Sequence, residues 1–349
     1  MLMEKINLKG MTLSELESFV KAVGIEPYRA RQIFQWIYNK NVVSFEEMTN
    51  LSKPLRKKLA EKADIPGLKI LRTNRSTQSG TIKFLFQLPD GEAVESVYMP
   101  DGGRRTVCVS SQVGCALQCR FCQTGKMGLK RNLEVWEIVD QVLAIERQLK
   151  VDITNLVMMG MGEPFHNYEN VLRAAELFSH PEGLAIGQRK ITISTSGLVP
   201  AIRRFTRENR RFKLAISLNA TTDSMRSYLM PINKKYPLAE LLSAVRDYSN
   251  TSRNRVTFEY VLISGKNDSR EDARRLKKLL SGIRCKINLI PYNPTIPQFR
   301  APDEETLHNF IQELLDFPAP VTVRRSNGGD IDAACGQLYV KNEGFAKIA

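Results

Sequence analysis

Three cysteines, Cys115, Cys119 and Cys122, stand close together, with three residues between the first two and two residues between the last two. Cysteine thiolates at this spacing can hold an iron–sulfur cluster. A 4Fe-4S cubane needs four ligands, so these three would leave one iron open to a small molecule. A zinc site usually has two Cys-x-x-Cys pairs, or Cys together with His, and neither surrounds these residues. A disulfide framework does not suit a chain of this length without a secretory signal.

A glycine-rich segment, Met159-Gly160-Met161-Gly162-Glu163-Pro164, follows a predicted strand. Glycine lets the backbone approach a ligand closely, and the carboxylate of Glu163 can accept hydrogen bonds from an ammonium group. Each such feature alone is more often a turn or a helix cap. Other predicted strands also end in hydroxyl or amide side chains, namely Ser194, Ser217, Asn219 and Asn293. With the Cys-x-x-x-Cys-x-x-Cys loop, the set resembles the radical S-adenosyl-L-methionine (SAM) superfamily, in which the open iron binds SAM.

Three more cysteines lie outside this loop. Cys285 begins an apolar strand and is interpreted as a buried core thiol. Cys108 precedes Cys115 by seven residues, and Cys335 lies in a glycine-flanked segment after the last predicted strand. Loops carry reactive groups more often than core elements do, but thiol reactivity depends on pKa and exposure. The residues alone therefore leave open whether Cys108 and Cys335 are reactive or structural.

Strand and helix patterns alternate from residue 105 onward, which predicts βαβ units and a parallel sheet. A helix before residue 150 is expected to begin after Asn132 as its N-cap. In such sheets the chemistry lies at the carboxyl ends of the strands, where the motifs above fall. The predicted strands are Thr106–Val109, Asn155–Met159, Lys190–Ser194, Lys213–Leu218, Arg255–Leu262, Lys286–Ile290 and Val321–Arg324.

Two segments precede this region. Residues 1–65 have helical periodicity in three stretches and predict an accessory module, whose basic third helix suits either solvent or an RNA surface. Residues 66–104 alternate with period two around Pro89-Asp90-Gly91 and predict a β-hairpin linker. The catalytic domain is expected at 105–349. The fold class is α/β: a partial (β/α)6-type radical SAM barrel with an N-terminal helical module and a connecting β-hairpin.

Composition narrows the class of partner. The chain has 349 residues and a net charge of +14, and such a balance favours a polyanion, most simply nucleic acid. No apolar run is long enough to span a membrane, so no membrane partner is expected. Six cysteines without a secretory context predict a reducing, cytoplasmic location.

Four motifs in order make the resemblance specific. They are Cys108-Val-Ser-Ser-Gln-Val-Gly-Cys115, the Met-Gly-Met-Gly-Glu-Pro segment, Ser194-Thr-Ser-Gly and Asp330-Ile-Asp-Ala-Ala-Cys335-Gly-Gln-Leu. Over nearly the whole chain the sequence is similar to the RlmN/Cfr family of radical SAM RNA adenine methyltransferases, closest to the RlmN branch. The resemblance implies methylation of C2 of an adenosine in 23S rRNA and in tRNA. It also implies a 4Fe-4S cluster on the three loop cysteines and two SAM molecules per turnover.

The same resemblance implies roles for single residues. Cys335 is the cysteine that becomes methylated, Cys108 lies near the thiol that forms a disulfide with it, and Glu95 occupies the proton-acceptor position. Asn327 replaces an Arg often found before the last glycine loop, and Asn219 stands where many members carry His. Seven residues fall on SAM-contacting positions: Gly162, Glu163, Ser194, Ser217, Leu218, Asn219 and Asn293.

The implied reaction addresses the low reactivity of adenine C2. This electron-poor carbon cannot attack the SAM methyl group directly, so the cofactor carries the difficult chemistry. One SAM would methylate the Cys335 thiolate, and a second would yield a 5′-deoxyadenosyl radical that takes a hydrogen from the S-methyl group. The carbon radical would add to C2 and Glu95 would take the C2 proton. Attack of Cys108 on the sulfur would then release the RNA and leave a disulfide.

Two alternatives stay open from the residues. One is another radical SAM RNA modification, such as C8 methylation of the same base; methylthiolation normally needs a second cluster, and no second cysteine triplet is present. The other is a non-catalytic iron–sulfur RNA-binding protein. The expected partners are 23S rRNA, tRNA and an electron donor such as flavodoxin or ferredoxin, and the protein is expected to be a monomer.

Overall fold

The N-terminal part of the chain folds into a small helical unit. The computed structural model describes residues 5–325 and 328–340, so the departure at Asn327 lies outside the described residues. Strand β1 (Ile6–Asn7) pairs in parallel with β2 (Ala63–Asp64). Between them lie α1 (Leu13–Ala22), α2 (Tyr28–Tyr38) and α3 (Lys53–Lys62). The three predicted helices are therefore confirmed, whereas the boundaries of separate domains stay predictions.

Four antiparallel neighbours follow the helical unit: β3 (Lys69–Arg75), β4 (Ile82–Gln87), β5 (Ala93–Asp101) and β6 (Arg104–Cys108). Strands β4 and β5 form the predicted hairpin. A separate antiparallel ribbon of β7 (Gln112–Gly114) and β8 (Leu129–Asn132) encloses the cysteine loop, which contains the short helix α4 (Gln123–Lys126). Because β6 also pairs in parallel with β9 (Asn155–Met158), the hairpin continues the barrel sheet.

The parallel part of this ten-stranded sheet runs in chain order from β6 and β9 through β10 (Ile191–Thr195), β11 (Lys213–Ser217), β12 (Val256–Leu262), β13 (Cys285–Pro291) and β14 (Val321–Val323). All seven predicted strands are confirmed, one more than the six of the expected barrel type. Strands β3 and β14 form the two edges and do not pair with each other in the described residues. The sheet is therefore an open, partial barrel, as predicted.

Helices connect the parallel strands. Helix α5 (Val135–Leu149) has Glu134 as its N-cap, whose backbone N–H donates to the Glu137 side chain at 2.8 Å. The prediction of Asn132 as this cap is wrong, because the pairing of β8 extends through Asn132. The other helices are α6 (Tyr168–Ser179), α7 (Val199–Arg207), α8 (Asp223–Leu229), α9 (Leu238–Thr251), α10 (Arg270–Leu280) and α11 (Glu304–Gln312). No helix of the described residues is both long and apolar enough to cross a membrane.

The two faces of the parallel strands differ in polarity. Residues such as Leu214, Phe258 and Ile287 belong to the hydrophobic core and are fully buried. Their sequence neighbours Lys213 and Glu259 alternate with them, as the period of two requires, and line open cavities on the other face. Polar side chains of the strands can therefore project into the barrel interior.

A buried ion pair joins the helical unit to the barrel. The Lys9 ammonium lies 2.6 Å from an oxygen of Asp140 on α5, and both side chains are fully buried. The other Asp140 oxygen accepts the backbone N–H of Leu68 at 2.6 Å. Because a buried charge without a partner is costly, this arrangement fixes the position of the helical unit against the barrel.

Candidate active site

A cavity of about 150 Å³ lies at the carboxyl ends of the parallel strands. Its walls come from the cysteine loop, from the segments after β9, β10 and β11, and from the segment that carries Cys335. Residues far apart in the sequence therefore meet around one space. The predicted site residues that line it are Cys115, Cys119, Cys122, Gly162, Glu163, Ser194, Ser217, Asn219 and Cys335.

The three loop thiols lie in a setting that suits an iron–sulfur cluster. Burial raises the pKa of Cys115 to about 12. Burial, and then the nearby Cys122 and Cys115 thiols, raise the pKa of Cys119 well above its ordinary value. Burial thus disfavours the thiolate forms of these cysteines. Bound iron would favour them, because coordination to a metal ion deprotonates a thiol. In the described ranges, no three His, Cys, Asp or Glu side chains are arranged to share a single metal ion.

The glycine-rich segment depends on close packing against β7. Gly162 has a φ of +103°, and a Cβ there would lie 2.6 Å from the Cβ of Gln112. Only glycine avoids both the strain and the clash. The backbone N–H of Glu163 donates to the Gln112 side-chain oxygen at 2.8 Å, so β7 fixes this segment.

Glu163 places a buried carboxylate at the cavity. One oxygen accepts the backbone N–H of Ser196 at 2.8 Å, and the other accepts that of Phe165 at 3.1 Å. The residue is 2% exposed, and burial raises the pKa of its carboxyl group. A ligand ammonium group would favour the charged form, so Glu163 suits the amino group of SAM.

Arg226 on α8 holds the ends of two strands together. Its fully buried guanidinium donates to the carbonyl oxygens of Ser196 at 2.7 Å and Ser217 at 3.2 Å. It also donates to the carbonyl oxygen of Leu218 at 3.1 Å. Burial lowers the pKa of Arg226 to about 10. Sequence reasoning missed this residue, because an arginine in a polar helix gives no signal of burial.

Three predicted SAM contacts have other visible roles. Asn219, with a φ of +55°, accepts the backbone N–H of Val261 at 2.8 Å. Leu218 is fully buried, and neither it nor Asn293 is among the described residues that line the cavity. The Asn293 amide donates to the carbonyl oxygen of Cys335 at 3.3 Å. As SAM contacts, all three stay predictions.

Cys108 and Cys335 meet at a second cavity of about 80 Å³. Cys335 and Cys122 line both cavities, so the two spaces adjoin at these residues. Both Cys108 and Cys335 are free thiols in the structure. Burial raises the pKa of the Cys108 thiol to about 12. The structure thus brings together the two thiols that the resemblance pairs.

Arg324, just after β14, is the cation beside these thiols. It lines the smaller cavity with Cys108 and Cys335, and its guanidinium donates to the Met99 sulfur at 3.3 Å. The pKa of Arg324 is raised, first by the Cys335 thiol, and the Arg324 charge in turn lowers the pKa of Cys108. The charge of Glu259 also raises the pKa of Arg324. The sequence did not identify Arg324, because its thiol neighbours come from other elements.

Glu95 lies on β5 beside the segment that carries Cys335, but it lines neither cavity of the described residues. One carboxylate oxygen accepts the backbone N–H of Tyr339 at 2.9 Å. The other lies 3.0 Å from the ammonium of Lys83. Glu95 is therefore close to the Cys335 segment, and its role as proton acceptor stays a prediction.

The open barrel, the three-cysteine loop and the Gly-Glu segment define a radical SAM enzyme. The sequence matches the Radical SAM superfamily model at residues 109–277 and the ribosomal RNA large subunit methyltransferase N-terminal domain at residues 6–65. The structure is similar to that of a radical SAM methyltransferase from Sphaerobacter thermophilus, with a TM-score of 0.92 and 48% identity, covering 96% of this chain and 100% of that one.

Full-length relatives identify the family. The dual-specificity RNA methyltransferase RlmN of Geobacter sulfurreducens is 50% identical over 339 residues, which cover 96% of this chain and 92% of the relative. The RlmN of Pelobacter propionicus is 49% identical, and the match covers 97% of this chain and 97% of the relative. The chain therefore belongs to the RlmN family. The predicted family and enzyme class are confirmed, and with them the 4Fe-4S cluster and SAM as cofactors.

Proposed function

We propose that this protein methylates C2 of an adenosine in 23S rRNA and in tRNA, through Cys335 and a covalent RNA–protein intermediate. The observation that carries the proposal is the position of Cys335, which faces the cavity of the cluster thiols on one side and Cys108 on the other. A thiol in that place can receive a methyl group from the first cavity and meet a second thiol. The names of the full-length relatives support RNA as the substrate.

In the first cavity, the protein binds and orients the cofactors. Cys115, Cys119 and Cys122 would hold the cluster, and Glu163 would accept hydrogen bonds from the SAM ammonium group. When bound, the cluster and SAM supply the methyl group and the radical that activates it. Arg226 keeps the ends of β10 and β11 in place, and this fixes the position of Ser217 in the wall of the cavity.

In the second cavity, the protein resolves the covalent intermediate. Cys335 carries the methylene group to C2. The radical adduct then returns one electron to the cofactor, and Glu95, which lies beside the segment that carries Cys335, removes the C2 proton. Cys108 then attacks the Cys335 sulfur as a thiolate, because the thiolate is the nucleophilic form. The positive charge of Arg324 favours that form. The carbon–sulfur bond breaks as the disulfide forms, and its electron pair stays on the methylene carbon, which takes up a proton and becomes the methyl group. An external reductant then restores both thiols.

A basic cavity of about 530 Å³ on the inner face of the sheet would receive the RNA. It shares Met159, Glu259 and Arg324 with the two cavities described above, so it adjoins the reaction space. Cationic side chains that can bind phosphates line it: Arg104, Lys190, Lys213, Lys286 and Arg325. We also propose that the enzyme acts as a cytoplasmic monomer, with flavodoxin or ferredoxin as electron donor.

Reaction of the reduced, cluster-loaded protein with SAM and RNA tests this function. Mass spectrometry of the digested RNA should find 2-methyladenosine, and 5′-deoxyadenosine should appear with it. Methylation at C8 would favour the alternative radical SAM modification. RNA binding without release of 5′-deoxyadenosine would favour a binding protein and contradict the proposal.

A further inference from the structure

We propose that Lys83 is a positioning residue for proton removal: it pairs with the Glu95 carboxylate, favours its charged form and attaches it to the segment that carries Cys335. The inference rests on the proposed role of Glu95 as proton acceptor. Lys83 itself contacts neither Cys108 nor Cys335, and it lies on β4, outside the parallel strands of the barrel.

The contacts of Lys83 connect two elements. Its ammonium lies 3.0 Å from one Glu95 oxygen and donates to the carbonyl oxygen of Asp332 at 3.1 Å. In the antiparallel register, Lys83 pairs with Val97 and Glu95 pairs with Leu85. Lys83 and Glu95 are therefore diagonal neighbours, a separation that a long side chain can span.

Glu95 completes the attachment on the other side of Cys335. Its second oxygen accepts the backbone N–H of Tyr339 at 2.9 Å. Asp332 precedes Cys335 by three residues and Tyr339 follows it by four. The Lys83–Glu95 pair therefore holds the Cys335 segment at two points, one on each side of the thiol.

The surroundings of Glu95 show why a cation is needed there. The Glu95 side chain is 3% exposed and that of Lys83 is 11% exposed. Burial raises the pKa of Glu95, and Lys83, the Tyr339 N–H and the more distant Arg72 on β3 lower it. Lys83 is the only cation within 4.0 Å of this carboxylate in the described residues. Because a base must be ionised before it takes a proton, losing the Lys83 charge would raise the pKa of Glu95 further and reduce the fraction that can act as a base.

Single-turnover reactions of three variants separate the effect of the Lys83 charge from that of its hydrogen bond to Asp332. Lys83→Gln can still donate to the Asp332 carbonyl but has no charge, Lys83→Met has neither property, and Lys83→Arg keeps the charge. The reactions start from protein already methylated at Cys335. Denaturing gels follow the RNA–protein adduct, and mass spectrometry follows methylated RNA, over a range of pH.

The two uncharged variants should form the adduct but release methylated RNA at least about tenfold more slowly at neutral pH, as expected when a positioned acid–base group is lost. Release should recover as pH rises, because a higher pH ionises Glu95. Lys83→Arg should release RNA at close to the wild-type rate. Lys130→Met removes another lysine–glutamate pair, with Glu92 at 2.7 Å and more exposed, and should change nothing.

Three outcomes would overturn the inference. Lys83→Gln could release RNA at the wild-type rate at every pH, or all three Lys83 variants could be equally slow without any pH dependence. If either result is found while Glu95→Gln releases RNA slowly, only the proposed role of Lys83 is excluded. The proposed function of the protein is then unaffected. If Glu95→Gln itself releases RNA normally, the proton-acceptor role fails, and the Lys83 inference fails with it. Iron content and circular dichroism of each variant confirm that it is folded.

Discussion

The Glu163 carboxylate accepts the backbone N–H of Ser196 at 2.8 Å, and this hydrogen bond links the segment after β9 to the segment after β10. Glu163 therefore has a fixed orientation before any ligand binds. The bond uses one of the lone pairs of the carboxylate, which has about four. The Phe165 N–H occupies another, and those that remain can accept hydrogen bonds from the ammonium group of SAM.

Glu163→Gln should weaken SAM binding by about tenfold to a hundredfold, because a hydrogen bond to a charged group contributes roughly 1.5–3 kcal/mol. The amide keeps the shape of the side chain but loses its charge. Equilibrium dialysis of SAM against anaerobically reconstituted protein measures the change. Glu176→Gln on the surface of α6 serves as the control. An unchanged dissociation constant with a full cluster would remove Glu163 from the SAM site.

Cys119→Ala should lose iron, sulfide and the broad charge-transfer absorbance after anaerobic reconstitution, because a missing ligand opens a second iron. The matched control is Cys285→Ala. Cys285 is also buried, at 2% exposed, but begins β13 outside the cysteine loop. This control should keep its iron. Full iron and sulfide loading in Cys119→Ala would contradict the cluster assignment.

Glu146 on α5 should make the stability of the protein fall as pH rises. Burial raises its pKa to about 7 from an ordinary value of 4.5. Between these values the folded state binds more protons than the unfolded state, so the free energy of unfolding decreases with rising pH. Glu146→Gln can still accept the Ile153 N–H, which donates to Glu146 at 2.8 Å.

The Glu146→Gln variant should therefore unfold at higher urea concentration than the wild type at pH 8, and the difference should vanish below pH 4.5. Urea unfolding followed by circular dichroism measures both values. Glu17→Gln, an exposed position on α1, is the control and should leave the pH dependence unchanged. A variant that is less stable than the wild type at pH 8 would contradict this account.

The basic cavity should make RNA binding strongly salt-dependent. Each neutralised phosphate releases counterions, which gives a slope of about −0.7 per contact on logarithmic axes for single strands. The double variant Lys213→Met/Lys286→Met should weaken binding and make this slope shallower. Lys278→Met, an exposed lysine of α10, is the control. Equal slopes for the wild type and the double variant would place the RNA elsewhere.

The sequence was sufficient where the signal is local. Alternating apolar residues identified all seven parallel strands, and the fixed spacing of Cys115, Cys119 and Cys122 identified the metal chemistry. The position of Glu163 followed from its place after a predicted strand. The one cap that failed, Asn132, did so because the pairing of β8 competes with capping for the same residue.

The sequence was insufficient where function depends on contacts between distant elements. Arg226 resembles a surface arginine, yet it is buried against carbonyl groups at the ends of β10 and β11. Lys83 occupies an ordinary strand position, and only the tertiary structure places it against Glu95. The meeting of Cys108 and Cys335 likewise depends on how the last segment folds back over β6. No local pattern encodes these relationships.

Cys335 and Cys108 have different roles in the proposed reaction: Cys335 accepts the methyl group, and Cys108 resolves the RNA adduct. Cys335→Ala has no thiolate to accept the first methyl group, so neither methylated protein nor RNA adduct should form. Cys108→Ala keeps Cys335 and the cluster, so the radical addition should proceed and the covalent intermediate should persist. If both cysteines were only structural, the two variants would lose activity only because the protein is less stable.

Denaturing gels of Cys108→Ala purified from cells, with and without nuclease, test this claim most directly. Cys108→Ala should show a shifted, nuclease-sensitive band that is absent from Cys108→Ala/Cys335→Ala. If Cys108→Ala carries no RNA adduct, although its cluster is intact and it cleaves SAM, Cys108 is not the resolving thiol and the account is contradicted.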